Sequence, residues 1–380
     1  MDLVPMTPSE IDRFGIEQWD LLFARQSLVA EGAGKCSIVL QVPEITTFES
    51  HLIRVRLNPA MADPLFYYYY FQSPAGKGNM QSIVMQVAAA GIRASELATL
   101  PVPRPALAQQ RRIGSILSAY DDLIENNTRR IAILEEMARR IYDEWFVRFR
   151  FLGHEGVRMV ESELGLAPEG WAVANVVDLA VVYRGRSYKG SELADVGGRP
   201  FVNLKCMDRD GGFRSSGLKR YTGEFKESHT VRPGDMVMGI TDMTQERRIV
   251  ARVGRVSPLD ADFGVFSMDL VRIASRGVYP EPYLYAMFRW SGFADEVKQH
   301  ANGANVLHLL PARIEEFRLI CPSPELATRF ANLMAPMLAL CDTLEQKNAN
   351  LRETRDLLLP KLISGALDVS AMPEPEALAA

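Results

Sequence analysis

No run of the chain approaches the roughly 18 consecutive apolar residues that a membrane-crossing helix needs, although the chain is 380 residues long. The N-terminal stretch Met1 to Ile11 carries Asp2 and Glu10 and has no apolar segment of its own, so it does not read as a secretory signal. Cysteine is scarce. Cys36, Cys206, Cys321 and Cys341 stand apart, without a Cys-x-x-Cys pair, which fits a reducing, cytoplasmic setting. The histidines His51, His154, His229, His300 and His308 keep no metal-ligand spacing with each other or with cysteine. An excess of base is also missing. The net charge of −4 does not advertise nucleic-acid binding, though a local basic face would suffice for it.

Enzyme signatures are missing too. Glu31 to Cys36 looks like part of a phosphate loop, but Val29 stands where its first glycine belongs and Cys36 where Ser or Thr belongs. It reads as a surface turn. There is no G-x-S-x-G elbow and no H-E-x-x-H pair. The only Asn-Pro, Asn58-Pro59-Ala60, is unlike the Asn-Pro-Pro-aromatic loop of amino-methyltransferases. No Pro-Asp is followed by the spaced acid and lysine of common nucleases. The chain is expected to do no covalent chemistry and to hold no cofactor or metal.

What is present is a globular composition and an internal repeat. Apolar residues make up 47% and charged residues 24%, enough for sizeable cores and two or three domains. Four stretches recur in order. Trp19 to Arg25 pairs with Gly234 to Ile240, Asp63 to Tyr68 with Glu281 to Ala286, Pro103 to Leu107 with Pro322 to Leu326, and Asp122 to Glu125 with Asp342 to Glu345. A duplicated unit is implied. Its second copy has a part from about Pro168 to Gly217 with no counterpart before Trp19, so the first copy is expected to be incomplete at its start.

Each copy opens with strands and continues into helices. Val173 to Tyr183, Asp235 to Ile240, Arg248 to Val256 and Asp269 to Ile273 read as strands between Gly, Pro and Asp turns. A helix is entered at Pro64 in one copy and Pro282 in the other, where proline's missing N–H costs nothing. The aromatic cluster Phe66 to Phe71 lies on the first of these, either as core or as a base-stacking surface. After Pro-x-Pro come long heptad helices. Ile113, Leu117, Tyr120, Ile124, Asn127, Ile131, Leu134, Ala138, Ile141 and Trp145 form one seam. Leu333, Met337, Leu340, Leu344, Lys347, Leu351, Thr354 and Leu358 form the other, with Asn127 and Lys347 as polar seam positions. An intramolecular antiparallel coiled coil is expected, with intermolecular pairing as the competing arrangement.

Two strand-rich domains, each followed by Pro-x-Pro and a heptad helix, resemble the specificity subunit of type I restriction-modification systems. The run Gln109 to Asn127, continued by Arg130 to Ile141, is similar to the helix strings of that family. So, less specifically, are Gly170-Trp171, Arg184 to Ser187, Pro233 to Asp235, Thr241 to Arg247 and Gly303 to Leu309. The similarity covers nearly the whole chain apart from its last ten residues. It implies an α+β fold: a partial first target-recognition domain over 1–106, a coiled-coil helix over 107–150, a second domain over 151–326, a second helix over 327–370 and a disordered tail over 371–380. It implies a non-catalytic subunit that reads a bipartite double-stranded DNA site. Two methyltransferase subunits and the motor-nuclease subunits would dock on it, bringing S-adenosylmethionine, ATP and magnesium. A coiled-coil adaptor without DNA binding, a truncated subunit of altered or lost specificity, and a stand-alone nuclease or methyltransferase are the alternatives.

Base readers should be Arg, Asn, Gln, Ser and Thr, with Lys and Arg on phosphates. In the second domain the candidates are Arg184, Arg186, Ser187 and Lys189; Asn203, Lys205 and Arg209; Thr241, Asp242, Thr244, Gln245, Arg247 and Arg248; and Asn302, Asn305 and His308. The first domain offers Arg25, Gln26, Ser27 and Lys35. For the partner surface the outward charges Arg129, Arg130, Glu135, Glu136, Arg139 and Arg140 are expected.

Overall fold

The structure, a computed structural model, describes residues 4–86 and 90–372. Its chain forms two compact units. One is built from the residues up to Asn126 together with those from Lys347 on, the other from 127–346.

The first unit opens with α1 (Pro8–Phe14), capped by Thr7, whose hydroxyl accepts from the Glu10 N–H. β1 (Leu21–Ala24) leads into the short β2 (Gln26–Ser27), and β3 (Cys36–Ile38) and β4 (Leu52–Val55) flank β1 in an antiparallel sheet of order β3-β1-β4. α2 (Pro64–Gln72) starts at proline, as its sequence predicts, and the Asp63 carboxylate accepts from Phe66 N–H at 2.9 Å. α3 (Pro74–Gln81), β5 (Met85–Gln86), β6 (Ala90–Gly91) and α4 (Ala94–Thr99) follow, and β6 pairs with β2. Then comes α5 (Leu107–Tyr142), whose residues to Asn126 belong to this unit. Phe66, Tyr67, Tyr69 and Tyr70 are buried, so the aromatic cluster is core rather than a stacking surface. Leu21, Phe66, Ile113 and Leu117 pack with Leu359 and Leu362, and Arg355 pairs with Asp121. The early turns of α5 therefore lie against the late turns of the second long helix. At the former phosphate-loop stretch, Gly34 turns with φ 74° and donates to Ala24 C=O at 2.8 Å, and a Cβ there would collide with Met80.

In the second unit α5 ends in a π-helical turn, Asp143–Val147. A hairpin of β7 (Met159–Ser162) and β8 (Gly165–Pro168) precedes β9 (Ala172–Asn175), α6 (Val176–Leu179) and β10 (Ala180–Arg184). One continuous strand from Val173 to Tyr183 is thus not formed. Asp178 accepts from the Asn175 N–H at 3.1 Å and turns the chain through α6. Next come β11 (Leu193–Ala194), β12 (Arg199–Val202), β13 (Lys219–Tyr221), β14 (Thr230–Val231), β15 (Met236–Gly239), β16 (Thr241–Asp242), β17 (Val253–Arg255), β18 (Gly264–Phe266) and β19 (Leu270–Ser275). The expected strand Arg248 to Val256 shrinks to β17, because Arg247 and Ala251 adopt left-handed φ and curl the preceding loop. Two sheets result, β10-β19-β15-β17 and β11-β13-β12-β18-β14. α7 (Glu281–Trp290), α8 (Phe293–Val297), β20 (Leu307–His308), α9 (Pro311–Glu315), β21 (Arg318–Cys321) and α10 (Pro324–Ile363) complete it, with β20 on β16 and β21 on β9. Here Ala138, Tyr142 and Trp145 of α5 share a core with Phe330 and Met334 of α10. The late turns of α5 meet the early turns of α10, so the two long helices run antiparallel within one chain.

The α5 seam is as its sequence predicts. The α10 seam is shifted. Leu333 and Leu340 are exposed, whereas Met334, Cys341, Leu344 and Asn348 are buried. Met337, Leu344, Leu351 and Leu358 belong to both alternations, and the intervening positions are Met334, Cys341, Asn348 and Arg355 rather than Leu333, Leu340, Lys347 and Thr354. Lys347 is exposed, and its neighbour Asn348 is the polar seam residue.

The repeat holds bond by bond. Trp19 N–H donates to Val39 C=O and Gly234 N–H to Val256 C=O, both residues at positive φ. Glu17 N–H bonds the Asp20 carboxylate at 2.7 Å, as Arg232 N–H bonds that of Asp235 at 2.8 Å. Ile92 N–H donates to Arg25 C=O, as Leu309 N–H does to Ile240 C=O. β1, β3 and β4 thus match β15, β17 and β19. Among the described residues of the first unit no strand flanks β4 as β10 flanks β19, and there is no second sheet like the five-stranded one.

Candidate nucleic-acid interface

Strand direction decides which loops meet. In the second unit β10 ends at Arg184, β15 ends at Gly239, and the antiparallel β19 begins at Leu270, all at one end of the four-stranded sheet. The opposite end carries Arg255, whose guanidinium grips the Asp342 carboxylate of α10, one bond being 2.7 Å. The free end therefore points away from the helix contact. Three polar loops join there. Arg186 N–H donates to Phe266 C=O and its C=O accepts from Met268 N–H, each near 2.9 Å. Ser267 N–H donates to Val202 C=O, bringing in Asn203 and Lys205, and Ile240 N–H donates to Asp269 C=O, bringing in the loop from Thr241. Gly185 permits the first of these contacts, since a Cβ would strike the Ser267 carbonyl.

The side chains fall into two groups. Arg184, Ser187, Lys189, Lys205, Arg209, Thr244, Gln245, Asn302, Asn305 and His308 are exposed. Arg184, Lys189, Lys205 and Arg209 make no ion pair among the described residues, and Arg186 Nε donates only to Glu224 C=O at 3.1 Å. Burial, then Arg186 and Lys226, hold the His229 imidazole below its ordinary pKa. The second group is inward. Asn203 is buried and its Oδ1 accepts from Lys205 N–H at 2.8 Å. Thr241 and Asp242 are buried, and Asp242 accepts from Thr244 N–H, Thr244 Oγ1 and Ile249 N–H, all at 2.9 Å. Arg247 donates to Gln299 Oε1 at 3.0 Å and Arg248 pairs with Asp210. Gln245 reaches Ala304 C=O at 3.1 Å, tying this loop to 302–308. This group shapes the loops on which the first group is displayed.

In the first unit β1 ends at Ala24, β3 begins at Cys36 and β4 begins at Leu52, so Arg25, Gln26, Lys35 and His51 share one end of that sheet. Arg25, Gln26 and Lys35 are exposed there, Arg25 donating to Ser50 C=O at 3.4 Å. Ser27 is half-buried and its hydroxyl accepts from Val29 N–H at 3.2 Å.

The sequence profile of the type I restriction modification DNA specificity domain matches residues 12–136. The type I restriction enzyme MjaIX specificity subunit of Methanocaldococcus jannaschii is 24% identical over 317 residues, 81% of this chain and 70% of its own length. A putative MjaX specificity subunit of the same organism is 26% identical over 168 residues, covering 44% of this chain and 39% of that one. The crystal structure of the S subunit from M. genitalium superposes with a TM-score of 0.56 at 14% identity, over 92% of this chain and 84% of that chain. The chain is thus similar in sequence to type I restriction-modification specificity subunits, and in fold to the S subunit from M. genitalium. The resemblance in the helix strings is thereby met by a similarity of fold.

On the helices, Arg130, Glu135, Arg139 and Arg140 are exposed on α5, and Arg129 lies beside them. Glu136 binds both Arg139 and Arg140, each at 2.7 Å, and those two hydrogen bonds hold its carboxyl down to about 2. Composition missed the most exposed apolar side chains of the two loop ends, Leu28 and Met243. Their signal in the sequence was position: each follows by one residue a small polar residue at equivalent places in the repeat.

Proposed function

We propose that this chain is the non-catalytic DNA reader of a type I restriction-modification complex. Each unit reads one half of a bipartite duplex site with the polar end of its sheet. One observation carries this reading: in both units the exposed cations and amides gather at the sheet end formed by the close of the first hairpin strand, Arg25 to Lys35 in one and Arg184 to Gln245 in the other. Cations that make no internal ion pair suit phosphates, and exposed Arg, Gln and Asn suit base edges. The antiparallel helices act as the spacer between half-sites, and their charged outer face, with Arg129 to Arg140, seats the methyltransferase subunits. The methyltransferase and motor subunits, two of each, bring S-adenosylmethionine, ATP and magnesium, and this chain works in the cytoplasm with none of its own.

The test is the gap between half-sites. Methylome sequencing of cells carrying the chain with its methyltransferase gives the bipartite motif. Removing one heptad from each of α5 and α10 shortens the spacer by ~10 Å, about three base pairs. The half-sites should stay the same and the gap should shrink. An unchanged gap refutes the spacer, and a single undivided motif refutes the two-reader assignment.

A further inference from the structure

Two apolar side chains stand at equivalent tips of the two units. Leu28 follows β2 and is 97% exposed; Met243 follows β16 and is 67% exposed. They occupy the same place in the repeat, since β2 pairs with β6 as β16 pairs with β20. Each is held by the same device. Ser27 accepts from Val29 N–H across Leu28, and Asp242 accepts from Thr244 N–H across Met243. Such turns fix the backbone on both sides of the projecting residue. In the second unit the rest of the loop is tied down as well, through Ile249 N–H, Gln245, Arg247 and Arg248.

Single exposed apolar residues are ordinary on a protein surface. These two differ in being repeated, braced, and placed at the sheet ends that carry Arg25 and Lys35 or Arg184, Arg186 and Lys189. An apolar tip within a cationic rim fits a polyanion that has apolar surface inside it. Duplex DNA is such a ligand: its stacked bases lie behind phosphates, and Leu or Met can enter a base step, unstack it and kink the helix.

We propose that Leu28 and Met243 are wedges that enter the base stack, one in each half-site. The proposal rests on the DNA-reading function above. It makes the two residues specificity determinants through deformability, because a flexible pyrimidine–purine step opens at less cost than a stiff one. Each half-site then prefers such a step at a position where no side chain bonds a base edge.

The full chain, in complex with its methyltransferase, is titrated with the cognate duplex carrying 2-aminopurine at successive positions. Binding is followed by anisotropy and unstacking by fluorescence. The wild type should brighten the probe at one step in each half-site. Met243→Ala should abolish brightening in one half-site only and Leu28→Ala in the other, each weakening binding by roughly tenfold. Met243→Leu should restore both readouts. Thermal melts separate lost wedging from lost folding, because both side chains are exposed. Saturable, sequence-specific anisotropy without brightening at either step overturns the wedges and leaves the DNA reader standing. Absence of specific binding by the wild-type complex overturns the DNA reader and the wedges together. Brightening that survives both alanine variants assigns unstacking to other residues and overturns the proposal.

Discussion

The two units share a hairpin, a third strand, a proline-started helix and a stretch of both long helices, and they differ in what is added. In the second, β10 pairs along β19, β9 pairs with β21, and a five-stranded sheet packs beside them. The first has the shared skeleton with a three-stranded sheet, and β4 keeps one edge without a partner among the described residues. In both units the long helices help to close the core: Ile113 and Leu117 pack with Leu359 and Leu362 in one, and Tyr142 and Trp145 with Phe330 in the other. The additional strands include β10, which brings Arg184 to Lys189 to the polar end of the four-stranded sheet.

The largest test strikes the shared framework. Phe330 is buried among the rings of Tyr142, Trp145, Phe146 and Tyr283. Phe330→Ala should cost the second unit ~3–5 kcal/mol, and Leu117→Ala the first ~2–5 kcal/mol. Urea unfolding with a fluorescent reporter in each unit should show each change lowering the midpoint of its own unit first. Equal shifts of both midpoints would mean that the units melt as one.

Readout should respond less strongly and unevenly. Arg184→Ala or Arg186→Ala should cost ~1–3 kcal/mol at one base position, or weaken all sequences alike and lower the salt slope if a phosphate contact is lost. Arg25→Ala and Lys35→Ala should do less, since no counterpart of the β10 loop lies beside them among the described residues. Anisotropy with duplexes altered in one half-site at a time measures both. Equal losses would dissolve the asymmetry.

The helix face should report on assembly rather than folding. Reversing Arg139 and Arg140 to glutamate places like charge beside Glu136. Co-elution with the methyltransferase should fall while the melting curve keeps its shape. Unchanged co-elution would move the partner surface elsewhere.

The smallest effect is confined to acid and to the first unit. Burial alone would raise the Asp20 carboxyl, but two 2.8 Å bonds from Arg56 and one from Glu17 N–H hold it below the usual carboxylate range. A depressed folded-state pKa means that this stabilisation is complete above the unfolded value near ~3.9 and is lost as pH falls through the lower folded one. Asp20→Asn should lower the first unit's urea midpoint at pH 7 and flatten its acid limb below about pH 4. An acid limb as steep as the wild type's would assign that titration to another carboxyl.

Much of the fold was legible because long periodicities average over many residues. The α5 seam, the proline-started helices and the repeat all follow from spacing. The α10 seam failed because Leu333 and Leu340 outweigh Cys341, Asn348 and Arg355 in any hydrophobic count, although packing against α5 seats the latter. The strand from Val173 to Tyr183 failed at Asn175 and Asp178, a cap that β-propensity does not register. At the polar sheet end, residue type separated polar from apolar but not display from scaffold. Asn203, Thr241 and Asp242 look like readers in the sequence and are braces in the structure, where their burial follows from strand ends that only tertiary pairing brings together.

The division of the long helices also orders the making of the protein. The second unit is continuous from residue 127 to 346, so every residue it needs is translated before the last turns of α10. The first unit begins earlier but waits for Leu359 and Leu362 to close its core. The later-coded unit is the one whose residues are complete first, and Ile113 and Leu117 stay uncovered on the nascent chain until Leu359 and Leu362 follow.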